Sequence, residues 1–206
     1  MPANTPTAGS KASRERQDTA QRILDVAEQL VQVRGFNAFS YADIAAELGI
    51  TKASLHYHFP GKAELGQALV SRYADRFGHA LEEIDRRPDA PPAKLAAYAR
   101  LYGDVLDGRR MCLCGMLAAE YHTLPEPIRE AVVAFFDHNE VWLERVLEQG
   151  HTDGSLKFDG SARDAARMLL SSLEGAMLVA RTYRDPNRFQ TTATTLLASL
   201  TAANGH

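Results

Sequence analysis

Apolar residues recur three and four positions apart along most of the chain, and no useful stretch alternates apolar with polar as a half-buried strand would. The pattern predicts an all-α protein of about nine helices. The first is expected from about Asp18 to Arg34, with Asp18 and Gln21 as a capping box. Ile23, Ala27, Leu30 and Val31 form its buried face, and Gly35 its stop. A long helix is expected from about Lys62 to Arg86; at ~1.5 Å per residue it spans ~37 Å, enough to belong to two packing units. Later helices are expected near Pro92–Asp107, Leu113–Thr123, Pro125–Gln149, Ser161–Arg184 and Asn187–Ala202. Gly108, Leu124-Pro125, Glu126-Pro127, the Gly150–Gly160 loop and Asp185-Pro186 break them.

Two short helices sit between the first and the long one. Ser40 and Asp43 form a capping box, Ile44, Ala45 and Leu48 follow helical spacing, and Gly49 supplies a left-handed stop. Thr51 then caps a helix of about Lys52–His58, anchored inward by Leu55 and Phe59. Helix, glycine turn and second helix make a helix-turn-helix, whose second helix can enter a DNA major groove. Thr51, Lys52, Ala53, Ser54, His56, Tyr57 and His58 line its start and outer side. Hydroxyls, a lysine, imidazoles and a small alanine suit base edges, thymine methyls and phosphates. Ser40 and Tyr41 join the candidate DNA contacts, as does Lys62, placed where a helix N-terminus favours an anion such as phosphate.

At these residues the chain resembles the TetR/AcrR family of bacterial transcriptional regulators. The matching stretch, about Ile23 to Leu69, holds Ile23-Leu24-Asp25-Val26-Ala27 and Arg34-Gly35-Phe36. It continues with Ile44-Ala45-Ala46-Glu47-Leu48-Gly49-Ile50, Leu55-His56-Tyr57-His58-Phe59 and Gly61-Lys62-Ala63-Glu64-Leu65. His56 departs from the tyrosine that many members carry there. The resemblance implies a three-helix DNA-binding head at residues 13–61, joined by the long helix to a helical effector-binding and dimerisation body at 62–206. It also implies a cytoplasmic homodimer on palindromic double-stranded operator DNA, most simply a repressor released by a small-molecule effector. An activator with the same head, or a regulator that senses redox or electrophiles through cysteine, is the alternative.

Charge refines this picture. The 206 residues carry a net charge of −3, which argues against bulk DNA coating. Residues 1–65 hold seven Lys/Arg and seven Asp/Glu, so affinity must come from where a few cations stand. Residues 1–12 are polar and rich in Pro and Gly, and are expected to be a disordered tail. Lys11, Arg14 and Arg16 are either an arm onto phosphates or simply solvated. No apolar run spans a bilayer, and the N-terminus lacks the regions of a signal peptide, so no membrane partner is expected.

The last two helices are rich in small and aliphatic residues: Ala165, Ala166, Leu169, Leu170, Leu173, Gly175 and Ala176, then Leu196, Leu197 and Leu200. Their excess over one core's needs points to a two-fold interface between copies. Large, soft or polar residues in the body, namely Tyr98, Tyr102, Met111, Cys112, Met116, Glu120, Phe135, Trp142, Glu174, Met177 and Arg181, are either an apolar effector pocket or ordinary core. Glu174 and Arg181, seven apart, are the candidate polar anchors, or members of ion pairs between helices. Cys112 follows Arg109-Arg110 near a helix start, a setting that favours thiolate, whereas a buried inert thiol is the competing reading. Cys112 and Cys114 point in different directions and lack a full ligand set, so no metal and no cofactor is expected. No glycine loop, nucleophile elbow or paired-histidine motif is present, and no catalytic residue is assigned.

Overall fold

The computed structural model describes residues 8–201, with side chains from Arg14 onward. Among them are nine α-helices and one 3-10 turn, in an order that follows the predicted pattern. α1 (Ala8–Arg34) starts well before Asp18, so Asp18 and Gln21 lie inside it and cap nothing. The cause is local propensity: Lys, Ala, Arg, Glu and Gln between positions 11 and 17 are good helix formers, although they offer nothing to bury. Residues 8–12 of the expected tail are therefore helical, while residues 1–7 and the Lys11 side chain lie outside the described residues. Gly35, at φ 95°, ends α1 as its sequence requires.

α2 (Tyr41–Leu48) starts at Ser40, whose N–H and Oγ both donate to the Asp43 carboxylate at 2.7 Å. It stops at Gly49, at φ 65°. α3 (Lys52–His58) is capped by Thr51 Oγ1, which accepts from Ser54 N–H at 3.1 Å. α4 (Lys62–Arg86) runs unbroken from beside α3 into the body. Glu28 of α1, almost wholly buried, accepts from Arg72 (2.8 Å) and Arg76 of α4, and Arg72 also donates to Asp25 at 2.7 Å. This ion cluster ties α1 to the middle of α4.

The body holds α5 (Pro91–Asp107), α6 (Leu113–Ala119), α7 (Glu126–Thr152), α8 (Ala162–Tyr183) and α9 (Pro186–Leu200). The predicted helix from Leu113 to Thr123 breaks at Glu120, and Tyr121–Thr123 forms the 3-10 turn. Glu120 is diverted to hold another segment, as described below. α7 runs past Gly150, which keeps ordinary backbone geometry; Gly154, at φ 77°, marks the turn that follows.

One continuous apolar core runs from Ile23, Ile44 and Leu55 to Leu169, Leu173 and Leu200. Gly66 of α4 is the close point between its two halves. A Cβ there would strike Ile128 of α7 and lie 2.9 Å from a ring carbon of Phe36. No helix among the described residues is long and apolar enough to cross a membrane.

Candidate nucleic-acid interface and body chamber

The α3 cap and its two inward anchors decide what the helix shows to solvent. Leu55 and Phe59 are buried, while Thr51, Lys52, Ala53, His56 and Tyr57 are exposed and Ser54 and His58 half-buried. Tyr57 is 64% exposed, an uncommon position for so large a ring, and Arg16 of α1 lies 5.4 Å from its centroid. Arg16 thus brings a cation beside the presented helix. Of the two readings of Arg16, an arm or a solvated side chain, this placement puts the guanidinium next to α3 on a helix that continues upstream of Asp18.

Three expected contacts are turned to structural work. Lys62 Nζ donates to Phe39 C=O at 2.6 Å and sits over the rings of Phe36 (4.8 Å) and Phe39 (4.2 Å). Half-buried, it has its pKa lowered by loss of water, partly offset by Glu120 and Asp43. The side chain expected at a phosphate here bends toward a carbonyl at the edge of the head's core. Tyr41 OH is bonded at the carbonyls of Phe59 (2.9 Å) and Gly61 (2.6 Å), and desolvation pushes its pKa up to about 12. It braces the turn between α3 and α4. The His56 ring lies tilted against Tyr41, centroids 4.8 Å apart, and places Nδ1 3.0 Å from Pro60 C=O, so part of that imidazole is committed as well.

The body divides the expected effector residues into two groups. Tyr98, Tyr102, Phe135 and Trp142 are buried together: Tyr98 stacks on Trp142 at 5.5 Å, and its hydroxyl lies 3.0 Å from both Tyr102 OH and Asn139 Oδ1. Met111, Cys112 and Met177 are buried too. Phe77 and Tyr73 of α4, which the sequence pattern did not single out, join this aromatic cluster. Phe77 lies 5.2 Å from Phe135 and 5.9–6.0 Å from Tyr102 and Tyr98. Their four-residue spacing on one helix was the available signal. Phe77 also lines a groove of about 570 Å³ between α4 and α7, with Asp75, Glu82, His138 and Asn139 among its walls. Of the expected pocket residues, only Phe135 lines that groove.

Glu120 and Arg181, expected at an effector pocket, make their contacts with the end of α1 and the loop after it. Glu120 Oε2 accepts from Phe36 N–H at 2.6 Å and from Asn37 N–H at 3.3 Å. Arg181 donates to Val33 C=O and lies 2.9 Å from Met116 Sδ. Asn37 Nδ2 donates to Thr123 Oγ1 at 2.7 Å, and Met111 N–H donates to Gln32 C=O at 3.2 Å. The C-terminal turn of α1 and the loop after it are therefore gripped by body groups from three segments. Glu174 parts company with Arg181 and lies beside Cys112; burial raises its pKa to about 7, with the thiol opposing.

Cys112 caps α6, its Sγ accepting from Gly115 N–H at 3.4 Å, and lies 3.6 Å from Tyr73 OH. Burial, followed by the nearby Glu174 charge, pushes the thiols of Cys112 and Cys114 well above the usual range. Both thiols are free and buried, the setting of the competing reading of a buried thiol. Arg109 is exposed and Arg110 donates to Gln32, so neither guanidinium is aimed at the sulfur.

Comparison with known proteins adds to this geometry. A family model described as "Bacterial regulatory proteins, tetR family" matches residues 23–69, and one described as "Tetracyclin repressor-like, C-terminal domain" matches residues 91–196. The HTH-type transcriptional repressor DhaR of Mycobacterium sp. (strain GP1) is 23% identical over 171 residues, covering 82% of this chain and 86% of its own. A TetR-family transcriptional regulator from Agrobacterium tumefaciens is 36% identical with a TM-score of 0.88, covering 91% of this chain and 100% of that one. A TetR regulator from Legionella pneumophila is 30% identical with a TM-score of 0.77, covering 96% and 100%.

Proposed function

Given that this chain belongs to the TetR family of DNA-binding transcriptional regulators, we propose that it is a cytoplasmic homodimeric repressor released from operator DNA by a small molecule. The head, residues 13–61, presents α3 to the major groove through Lys52, Ala53 and Tyr57, with Thr51, Ser54 and His58 at its edges. The observation that carries this reading is the 64% exposure of the Tyr57 ring on a helix whose other face is anchored by fully buried Leu55. A large aromatic held outward beside Lys52 and Arg16 needs a partner, and stacked sugar, base methyl and phosphate supply one.

Duplication follows from α8. Met168, Leu178, Val179 and Tyr183 are exposed, and a Cβ added at Gly175 in their midst would meet nothing within 4 Å. The small and aliphatic residues that suggested an interface mostly fill the chain's own core, with Ala165, Ala166, Leu169 and Leu173 buried. The interface is carried instead by the outward residues between them, with α9 alongside. Two heads so paired would read half-sites ~34–36 Å apart, or a multiple of that.

Release is transmitted by the grip on the head. A ligand among the body helices that moves α4 or α6 displaces Arg72, Arg76 and Glu120, and α1 must follow. Complete switching, from 99:1 to 1:99, requires about 5.5 kcal/mol of preference for the released state. By linkage, operator DNA weakens effector binding by the same factor. The test is selection of bound genomic fragments, footprinting of one, and effector titration with and without it. Equal effector affinity in the two titrations would sink the mechanism, and the absence of any preferred fragment would sink the repressor reading.

A further inference from the structure

His56 is exposed on α3, yet its ring is held from two directions. It lies against Tyr41 of α2, centroids 4.8 Å apart, and its Nδ1 is 3.0 Å from Pro60 C=O. The carbonyls on either side, those of Phe59 and Gly61, are met by Tyr41 OH. Three successive carbonyls of the turn between α3 and α4 are thus covered by two side chains that brace each other. An exposed ring fixed in this way gives up little freedom when it meets a partner.

The bond to Pro60 also decides the chemistry of the other ring nitrogen. A carbonyl oxygen only accepts, so the hydrogen sits on Nδ1. In the neutral ring Nε2 then carries a lone pair and no hydrogen. Nε2 has no partner among the described residues. Turning the ring over would bring a carbon to Pro60 and lose the bond. His56 therefore carries one free acceptor, its orientation set by groups outside α3. Lys52, one turn earlier on the same side of the helix, is its complement and offers only donors.

Duplex DNA offers few donors to such an acceptor. Phosphate oxygens accept, as do guanine N7 and O6, adenine N7 and thymine O4; in the major groove only adenine N6 and cytosine N4 donate. We propose that His56 selects sequence at its place along the groove, its Nε2 accepting from the exocyclic amine of an adenine or cytosine. The inference rests on the operator reading above and names the base group that one residue of α3 takes. Phosphate on this side of the helix falls to Lys52, because a neutral imidazole whose hydrogen is engaged by Pro60 has none left for a phosphate oxygen. Guanine or thymine at the same place would set acceptor against acceptor.

The test uses the full chain with His56→Phe and His56→Asn. Phenylalanine removes both nitrogens, whereas asparagine keeps a donor for Pro60 and is too short to carry an acceptor outward. Each protein selects duplexes from a randomised pool. Melting temperatures report folding, and the asparagine variant decides if phenylalanine unfolds the head. The native chain is expected to require adenine or cytosine at one position of each half-site, and the variants to lose that requirement alone. In the selected duplex, 2-aminopurine for that adenine, or pyrimidin-2-one for that cytosine, takes the amine out of the major groove. The change should weaken native binding about 3- to 10-fold and leave the variants within about 2-fold. A ring that merely supports α3 would instead cost affinity for every duplex alike, uncoupled from any one amine, and that result overturns the assignment. So does a His56-dependent preference for guanine or thymine, or variants that choose the same bases as the native chain. Proton uptake on binding, read by calorimetry in two buffers and lost in His56→Phe, would put an imidazolium on phosphate and overturn it too. A native chain that selects no duplex sinks the operator reading itself.

Discussion

Glu120 Oε2 stands 2.6 Å from the backbone nitrogen of Phe36, so a carboxylate from the end of α6 completes the turn that closes α1. Gly35 makes the approach possible: a Cβ there would lie 2.8 Å from Glu120 Oε1. Body and head are thus joined by a charge-assisted bond onto main chain, which cannot be released by a side-chain rotation in the head. Replacing Glu120 by Ala should cost about 1–3 kcal/mol, because two backbone donors lose their acceptor. Chemical denaturation would measure it, and hydrogen exchange at Phe36 and Asn37 should quicken. Unchanged exchange at both amides would show that the bond does not hold the turn.

Lys52 and Lys62 should behave oppositely. Lys52 is exposed at the start of α3, so Lys52→Ala should leave stability within about 0.5 kcal/mol. It should also weaken DNA binding and lower the salt slope by about 0.9 for each phosphate that the lysine neutralises. Lys62→Ala removes a donor from Phe39 C=O and should lower the melting temperature first. A Lys62 variant that keeps full stability but binds DNA with a shallower salt slope would restore the phosphate role.

Tyr57→Ala is expected to abolish preferred-fragment binding while dimerisation and melting temperature stay as they were. The ring is exposed, so its removal leaves no cavity. Analytical ultracentrifugation beside a gel-shift series checks both halves of the statement.

The raised pKa of Glu174 makes a signed prediction. Its carboxyl titrates near 4.5 unfolded and about 7 folded, so the folded state binds the extra proton between those values. Stability then falls as pH rises from about 4.5 to about 7, and the full penalty, about 3 kcal/mol, is present above that range. Glu174→Gln should therefore be more stable than the native chain at pH 8, with the gain shrinking toward pH 4. A gain independent of pH would mean that the acid is not the cause.

The outward face of α8 should be sensitive to charge. Val179→Arg places a guanidinium where 51% exposed valine now stands beside Leu178. If this face pairs with its copy, sedimentation should show monomers and affinity for a two-half-site fragment should collapse. A dimer that persists would move the interface elsewhere.

Most of the fold was legible along the chain because its determinants are local. A capping box at Ser40 and Asp43, left-handed glycines at 35 and 49, and prolines at 91 and 186 act within a turn or two, and helical periodicity named the buried stripe. The start of α1 escaped because propensity without burial leaves no periodic signal. So did the break at Glu120, whose cause lies in a loop far away in the chain.

The amino-acid sequence by itself determined the nine helices found among the described residues, the exposed α3 and the residue types that α3 offers. Only the tertiary structure decided that Lys62 and Tyr41 turn inward, that Glu120 and Arg181 grip the head, and that Glu174 is left without a cation. Backbone conformation answers to near neighbours, whereas a long polar side chain goes wherever packing leaves an unsatisfied carbonyl, amide or void, and those are supplied by segments remote in sequence.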